Sequence, residues 1–168
     1  MPDKVFMEDI REAYDLEKII HEEHKLPLGL DFEDVELVSL DLTSSSIVTA
    51  IKPTEMEKMN DVIMSSLSVY SKNQFVILVD AEDNMSQYAE DVTSYYSAPS
   101  DLSNIRLGFK QEIEARKNGE KSIEECKIVF INNIKRFNQL TGMTEDEIRV
   151  LFNEGQKVNI IIIASGLY

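Results

Sequence analysis

The sequence predicts a doubly wound α/β fold with a mostly parallel sheet, and two observations carry that reading. Four short runs, at residues 47–51, 75–79, 128–131 and 158–164, are almost continuous in Val, Ile, Leu and Phe. That is the pattern of strands buried on both faces of a parallel sheet, where half-exposed strands would alternate. Between the runs lie longer stretches with apolar residues at three- and four-residue steps, the period of helices that pack by one face. Strand, helix, strand, helix with short connections implies right-handed parallel crossovers.

Each element follows in order. Residues 7–24 carry Ile10, Ala13, Leu16 and Ile20 among many charges, which reads as a surface helix. The pattern breaks at LPLGLD, where Pro27 and Gly29 punctuate the chain. A first apolar run covers residues 35–42. Pro53 suits a first helical turn, and Met56, Met59, Ile63, Leu67 and Tyr70 form the stripe of the helix behind it. Asp101 is placed to cap a helix whose inward face is Leu102, Ile105, Phe109 and Ile113, with a stop near Gly119. Ile134, Phe137 and Leu140 make a shorter stripe. Thr144 and Glu147 form a capping box ahead of Ile148, Leu151 and Phe152, and Gly155 is expected to end that helix. The 168 residues suit one domain. It divides into an N-terminal helix and linker at 1–30 and an α/β core at 31–168.

Composition narrows the function classes. Apolar residues make up 43% and charged residues 29%, the ordinary globular mixture. Asp and Glu number 31 against 17 Lys and Arg, a net charge of −14. Nucleic acid is a poor partner for such a surface, because phosphate neutralisation needs clustered cations, and an anionic membrane is disfavoured for the same reason. The longest apolar run, residues 160–164, is far short of the roughly 20 residues that span a bilayer. The N-terminus is acidic where a secretory signal would be basic. The single cysteine, Cys126, fits a reducing compartment. A cytoplasmic address with no direct membrane contact is the expectation.

In doubly wound sheets ligands sit beyond the carboxyl ends of the strands. The first of the four runs enters a loop and then a long helix, the setting of the phosphate loop G-x-x-x-x-G-K-[ST]. In that register AIKPTEME puts Ala50 at the first glycine, Glu55 at the second, Met56 at the lysine and Glu57 at the hydroxyl. A carboxylate at 55 or 57 would face phosphate oxygens, and like charges about 4 Å apart cost roughly 4 kcal/mol at an effective dielectric of 20. Lys52 is within reach of a phosphate there, but nothing in the sequence requires it to turn that way. Where a nucleotide hydrolase has its acidic pair after a later strand, this chain has Asn132 and Asn133, and Asn cannot act as a general base.

The stretch AIKPTEMEKMNDVIMSSLSVY resembles the phosphate loop and following helix of FtsK/SpoIIIE-type ATPases with the loop chemistry overwritten. IVFINN resembles their Walker B strand and KVNIIIIAS the next strand. The opening, MPDKVFMEDI to LPLGLDFEDVELVSLDL, is similar to the start of each ATPase module in EccC-type proteins of type VII secretion, most of all the third, C-terminal one. The resemblance implies a P-loop NTPase (RecA/FtsK-like) fold, here without its last strands. It also implies a degenerate module with no catalytic residue, in which Ala50, Lys52, Glu55, Met56, Glu57, Asn132 and Asn133 are vestiges of a nucleotide site. Active relatives use ATP and Mg²⁺; none is expected here. The implied role is recruiting or gating secreted WXG-type substrates and contacting neighbouring ATPase modules, inside a membrane-anchored protein on the cytoplasmic face. The alternative is a module that still binds or hydrolyses ATP through the altered loop or a site shared with a neighbour. Arg106, Arg116, Arg136 and Arg149 would then be candidates for a basic finger.

Other residues have bland readings beside sharp ones. Asp80, Glu82 and Asp83 crowd one strand end, but lack the glycine of a calcium loop; a solvated acidic loop is expected and no metal. His21 and His24 lack further zinc ligands. Cys126 reads as a small buried filler. Tyr88, Tyr95 and Tyr96 are candidates for a partner-binding face, or else pack at the sheet edge. Met56, Met59 and Met64 would make an adaptable surface, although helical spacing turns the first two inward.

Overall fold

The computed structural model describes residues 25–31, 36–41, 44–71 and 75–167; the expected helix at 7–24, with His21 and His24, lies outside them. Two strands, β1 (Lys25–Asp31) and β2 (Glu36–Asp41), form a separate antiparallel pair. Five more form the main sheet: β3 (Ser46–Ala50), β4 (Phe75–Val79), β5 (Ser94–Tyr96), β6 (Lys127–Ile131) and β7 (Ile160–Leu167). Their order is β3-β7-β6-β4-β5 and every pairing is parallel.

Three of the four apolar runs supply the central strands β4, β6 and β7, for the reason their composition gives. The run at 47–51 does not, because β3 is an edge strand paired only with β7, and Ile47 and Ile51 are exposed. Ile128, Val129, Phe130 and Ile131 are sealed from solvent on both faces, as are Ile162, Ile163 and Ala164. One face is covered by α1 (Pro53–Tyr70), whose Ile63, Met64 and Leu67 pack on Val76, Leu78, Phe130 and Ile163. The other is covered by α2 (Pro99–Lys117), α3 (Ile134–Thr141) and α4 (Glu145–Lys157), whose apolar stripes meet Val129, Ile131 and Ile162. Burying a full Leu or Ile side chain contributes about 1.5–3 kcal/mol, so these two layers hold the strand ends in place. The three methionines face inward too: Met56 and Met64 are buried and Met59 is half-buried.

Several expectations are corrected. LPLGLD is not a break: it lies in β1, whose pairing with β2 shifts register between Pro27 and Gly29, so the two punctuating residues make an irregularity within a strand. The run at 35–42 belongs to that hairpin and not to the main sheet. Asp101 does not cap α2. Pro99, with its fixed φ, takes the first helical position, Ala98 is the N-cap, and Asp101 falls within the first turn. Gly155 does not end α4, which continues to Lys157. Instead its missing Cβ lets the helix approach β7, since a Cβ there would sit 3.0 Å from the Ile160 carbonyl oxygen. The last strand starts at Ile160, after a turn in which Asn159 takes φ +66°. Strand β5, and the 3-10 turn Ser86–Asp91 ahead of it, have no counterpart in the sequence reading.

Candidate functional site

The carboxyl ends of β3, β4, β6 and β7 lie side by side, and two features fill them. The first is the junction of β3 and α1. The strand ends at Ala50 and the helix begins at Pro53, leaving only Ile51 and Lys52 between. A phosphate loop would need the backbone to stay unwound as far as position 55 in the register set out above. Here residues 53 and 54 are already helical, and Glu55, Met56 and Glu57 are in the first turns. Met56 points into the core, whereas Glu55 and Glu57 are exposed. Helix starts attract anions because their N–H groups are unpaired and the dipole is positive there. This one is supplied from within: Pro53 has no N–H, and the Lys52 N–H donates to the Glu55 carboxylate at 3.4 Å. The junction therefore has no unwound loop to wrap a phosphate and no lysine at its helical end. These residues do not fit a triphosphate.

The second feature joins β4 to β6. Asp80 and Asn132, each at 0% exposure, immediately follow the adjacent parallel strands β4 and β6. The Asn132 amide donates to Asp80 Oδ1 at 2.6 Å and to Asn84 Oδ1 at 3.1 Å. Its oxygen accepts from the N–H of Ala81 at 2.6 Å and of Glu82 at 3.4 Å. All four hydrogen-bonding positions of an asparagine side chain are thereby used. Asp80 is equally full. Oδ1 also accepts from Asn84 N at 3.2 Å, and Oδ2 accepts from Met85 N at 2.8 Å and the Tyr95 hydroxyl at 2.5 Å. Burial first, and then that bond to Asp80, push the Tyr95 phenol up to about 12. Such a closed circuit removes the cost of burying a carboxylate and pins the loop after β4 to the end of β6.

Asn133 completes the corner. It adopts φ +75°, a left-handed conformation that asparagine tolerates. Its side-chain oxygen accepts from Arg136 N at 3.2 Å to cap α3, its amide donates to Glu82, and its backbone N–H donates to Ser165 Oγ at 3.1 Å. The acidic trio is thus dispersed: Asp80 points inward, Glu82 is held by Asn133, and Asp83 is exposed at φ +53°. Among the described residues no three His, Cys, Asp or Glu side chains form a metal-binding group. Asn84 and Ser165 were missed by sequence reasoning. The Asp-to-Asn spacing of four after a strand is the one local signal for the former; Ser165 has none.

Two of the three tyrosine hydroxyls, those of Tyr88 and Tyr95, donate to carboxylates of the same chain. Tyr88 donates to Asp61 of α1 at 3.0 Å, and burial followed by that bond raises its pKa. Tyr96 is half-buried against the core beneath α2. The arginines are occupied in different ways. Arg116 is buried, donating to the carbonyls of Glu125 and Val158 and pairing with Glu112. Arg106 pairs with Glu147, and Arg149 lies 3.6 Å from Asp146 on the surface. Arg136, exposed on α3, reaches Gln139 at 3.4 Å. Cys126 is half-buried beside the α1 face of the core.

No family model matches the chain. Over all 168 residues it is 99% identical to the type VII secretion system protein EssC of Staphylococcus aureus strain MRSA252. Over the same length it is 24% identical to EssC of strain NCTC 8325. The chain spans 11% of the length of each of these relatives. Among solved structures it resembles the cytoplasmic domain of EssC, with a TM-score of 0.66 at 17% identity, covering 99% of this chain and 35% of that one. It also resembles ATPases 2 and 3 of Thermomonospora curvata EccC, solved in complex with a signal sequence peptide, with a TM-score of 0.63 at 15% identity, covering 85% and 29%. The fold is that of these P-loop ATPase domains.

Proposed function

We propose that this chain, whose sequence matches a segment of EssC along its whole length, is a P-loop-fold module without nucleotide chemistry that serves type VII secretion by binding proteins. Its partners in this reading are secreted WXG-type substrates and neighbouring ATPase modules. Its place is the cytoplasmic face of a membrane-anchored protein, in line with its likeness to the cytoplasmic domain of EssC. Among the described residues no helix is long and apolar enough to cross a membrane.

The observation that carries the reading is the β3–α1 junction, where the helix starts two residues after Ile51 and Glu55 supplies the negative charge a phosphate would bring. The Asp80–Asn132 circuit supports it, because the residues at the Walker B strand end are spent on each other. Two comparisons support the binding role. A signal sequence peptide was captured on the T. curvata ATPases. Proteins of one name from two strains of one species share only 24% of residues over this segment, which suits a surface that reads strain-specific partners.

Titration with Mg·ATP, followed by melting temperature, tests the reading. A ligand at 100 times its dissociation constant adds about 2.7 kcal/mol, several degrees for a domain of this size. No shift is expected; a saturable one would move the nucleotide-binding alternative to first place.

A further inference from the structure

Gly108 stands in the middle of α2, where helices ordinarily favour alanine. A Cβ built on it meets no atom within 4 Å, so packing within this chain does not call for glycine. The space it leaves opens into a cleft of about 290 Å³ between α2 and the sheet. The floor is apolar: Ile77, Val129 and Ile160 from three strands, with Phe109 beside them. One wall is the α2 row Asp101, Asn104, Gly108 and Glu112, spaced three and four residues apart so that they share a helix face. The two ends differ in charge. At one, Glu112 is neutralised by Lys127 at 3.0 Å and by Lys121 and Arg116. At the other, Asp101 has no ion-pair partner among the described residues.

We propose that this cleft binds a peptide segment of a partner protein that presents a large apolar side chain beside a Lys or Arg. The apolar group lies over the half-buried Ile77 and Tyr96, the peptide backbone passes close to α2 at Gly108, and the cation pairs with Asp101. The net charge of −14 likewise favours a cationic partner. The cleft thus gives a location and a chemistry to the partner-binding reading, on which it rests.

The test uses the ¹⁵N-labelled chain and two short capped peptides, one containing Phe-Leu-Lys and its counterpart Phe-Leu-Glu. The Lys peptide is expected to shift the amides of Asn104, Gly108 and Tyr96 saturably. Gly108→Leu should abolish those shifts without lowering the melting temperature, which separates a blocked cleft from a damaged fold. Asp101→Asn should weaken the Lys peptide about two- to fivefold, the worth of an exposed ion pair. Absent shifts at Gly108, shifts that survive Gly108→Leu, or equal binding of the Glu peptide would each overturn the proposal. The Mg·ATP titration fails or succeeds independently, so a bound nucleotide would sink the general reading while leaving the amide shifts to judge the cleft.

Discussion

Asn132 illustrates how much one side chain decides when it is buried among polar neighbours. Placing an acid there, Asn132→Asp, removes the donor to Asp80 and sets two carboxylates against each other, which should cost about 3 kcal/mol in a chemical-denaturation experiment. The pair would have to keep a proton, so its folded pKa rises above the unfolded value. The variant's deficit should therefore be smallest in acid and grow as pH rises; a pH-independent loss would argue against the closed circuit. Glu112 runs the opposite way. Burial raises its carboxyl pKa, but the hydrogen bonds from Lys121, Lys127 and Arg116 outweigh it and hold it at about 2. Its contribution is present above the ordinary value of 4.5 and is lost as pH falls through about 2. Glu112→Gln should flatten that stretch of the stability curve and cost about 3 kcal/mol, because it leaves the Arg116 charge buried and unpaired. The sequence pointed to Asn132 as a departure from hydrolase chemistry, but its four partners were not legible, since they come from residues 48–52 positions away. Arg116 read as a candidate basic finger, and its burial was not legible, because only the fold brings the Glu125 and Val158 carbonyls to it.

Two helical glycines make a paired test of how elements meet. Gly108 faces open space and Gly155 faces the Ile160 carbonyl at 3.0 Å. Gly108→Ala should raise stability by about 1 kcal/mol through helix propensity alone. Gly155→Ala should lower it by about 1 kcal/mol, since the β7 backbone sits in a parallel ladder and cannot yield without strain. Equal signs in a thermal melt would contradict the packing described. The strands buried on both faces were readable because continuous Val and Ile runs mean little else beside turn signals. The hairpin strand β1 was not, because Pro27 and Gly29 mimic a loop, and β5 is only three residues long. The helix at Pro99 began earlier than its capping pattern suggested, because proline at the first position competes with an acidic cap two residues on. The phosphate-loop register was legible as chemistry, and Pro53, suited to a first helical turn, also marked where α1 begins.

At the scale of the whole molecule, a net charge of −14 repels itself in the compact state. Adding salt from about 0.01 M to 0.15 M shortens the screening length from about 30 Å to 8 Å, and the melting temperature should rise. A fall would mean that ion pairs such as Arg106–Glu147 and Lys127–Glu112 outweigh the repulsion. Topology has a separate effect, on timing. The sheet pairs its first strand with its last, Ser46 of β3 lying opposite Ile163 of β7, across 117 residues of chain. A ribosome adding about 5–20 residues per second needs roughly 6–23 seconds to make the intervening stretch. Throughout that interval the uncharged segment SIVTAI, residues 46–51, waits for its neighbour as an unpaired template for other chains. Nascent chains of this protein are therefore expected to depend on a chaperone that shields that segment until β7 clears the exit tunnel.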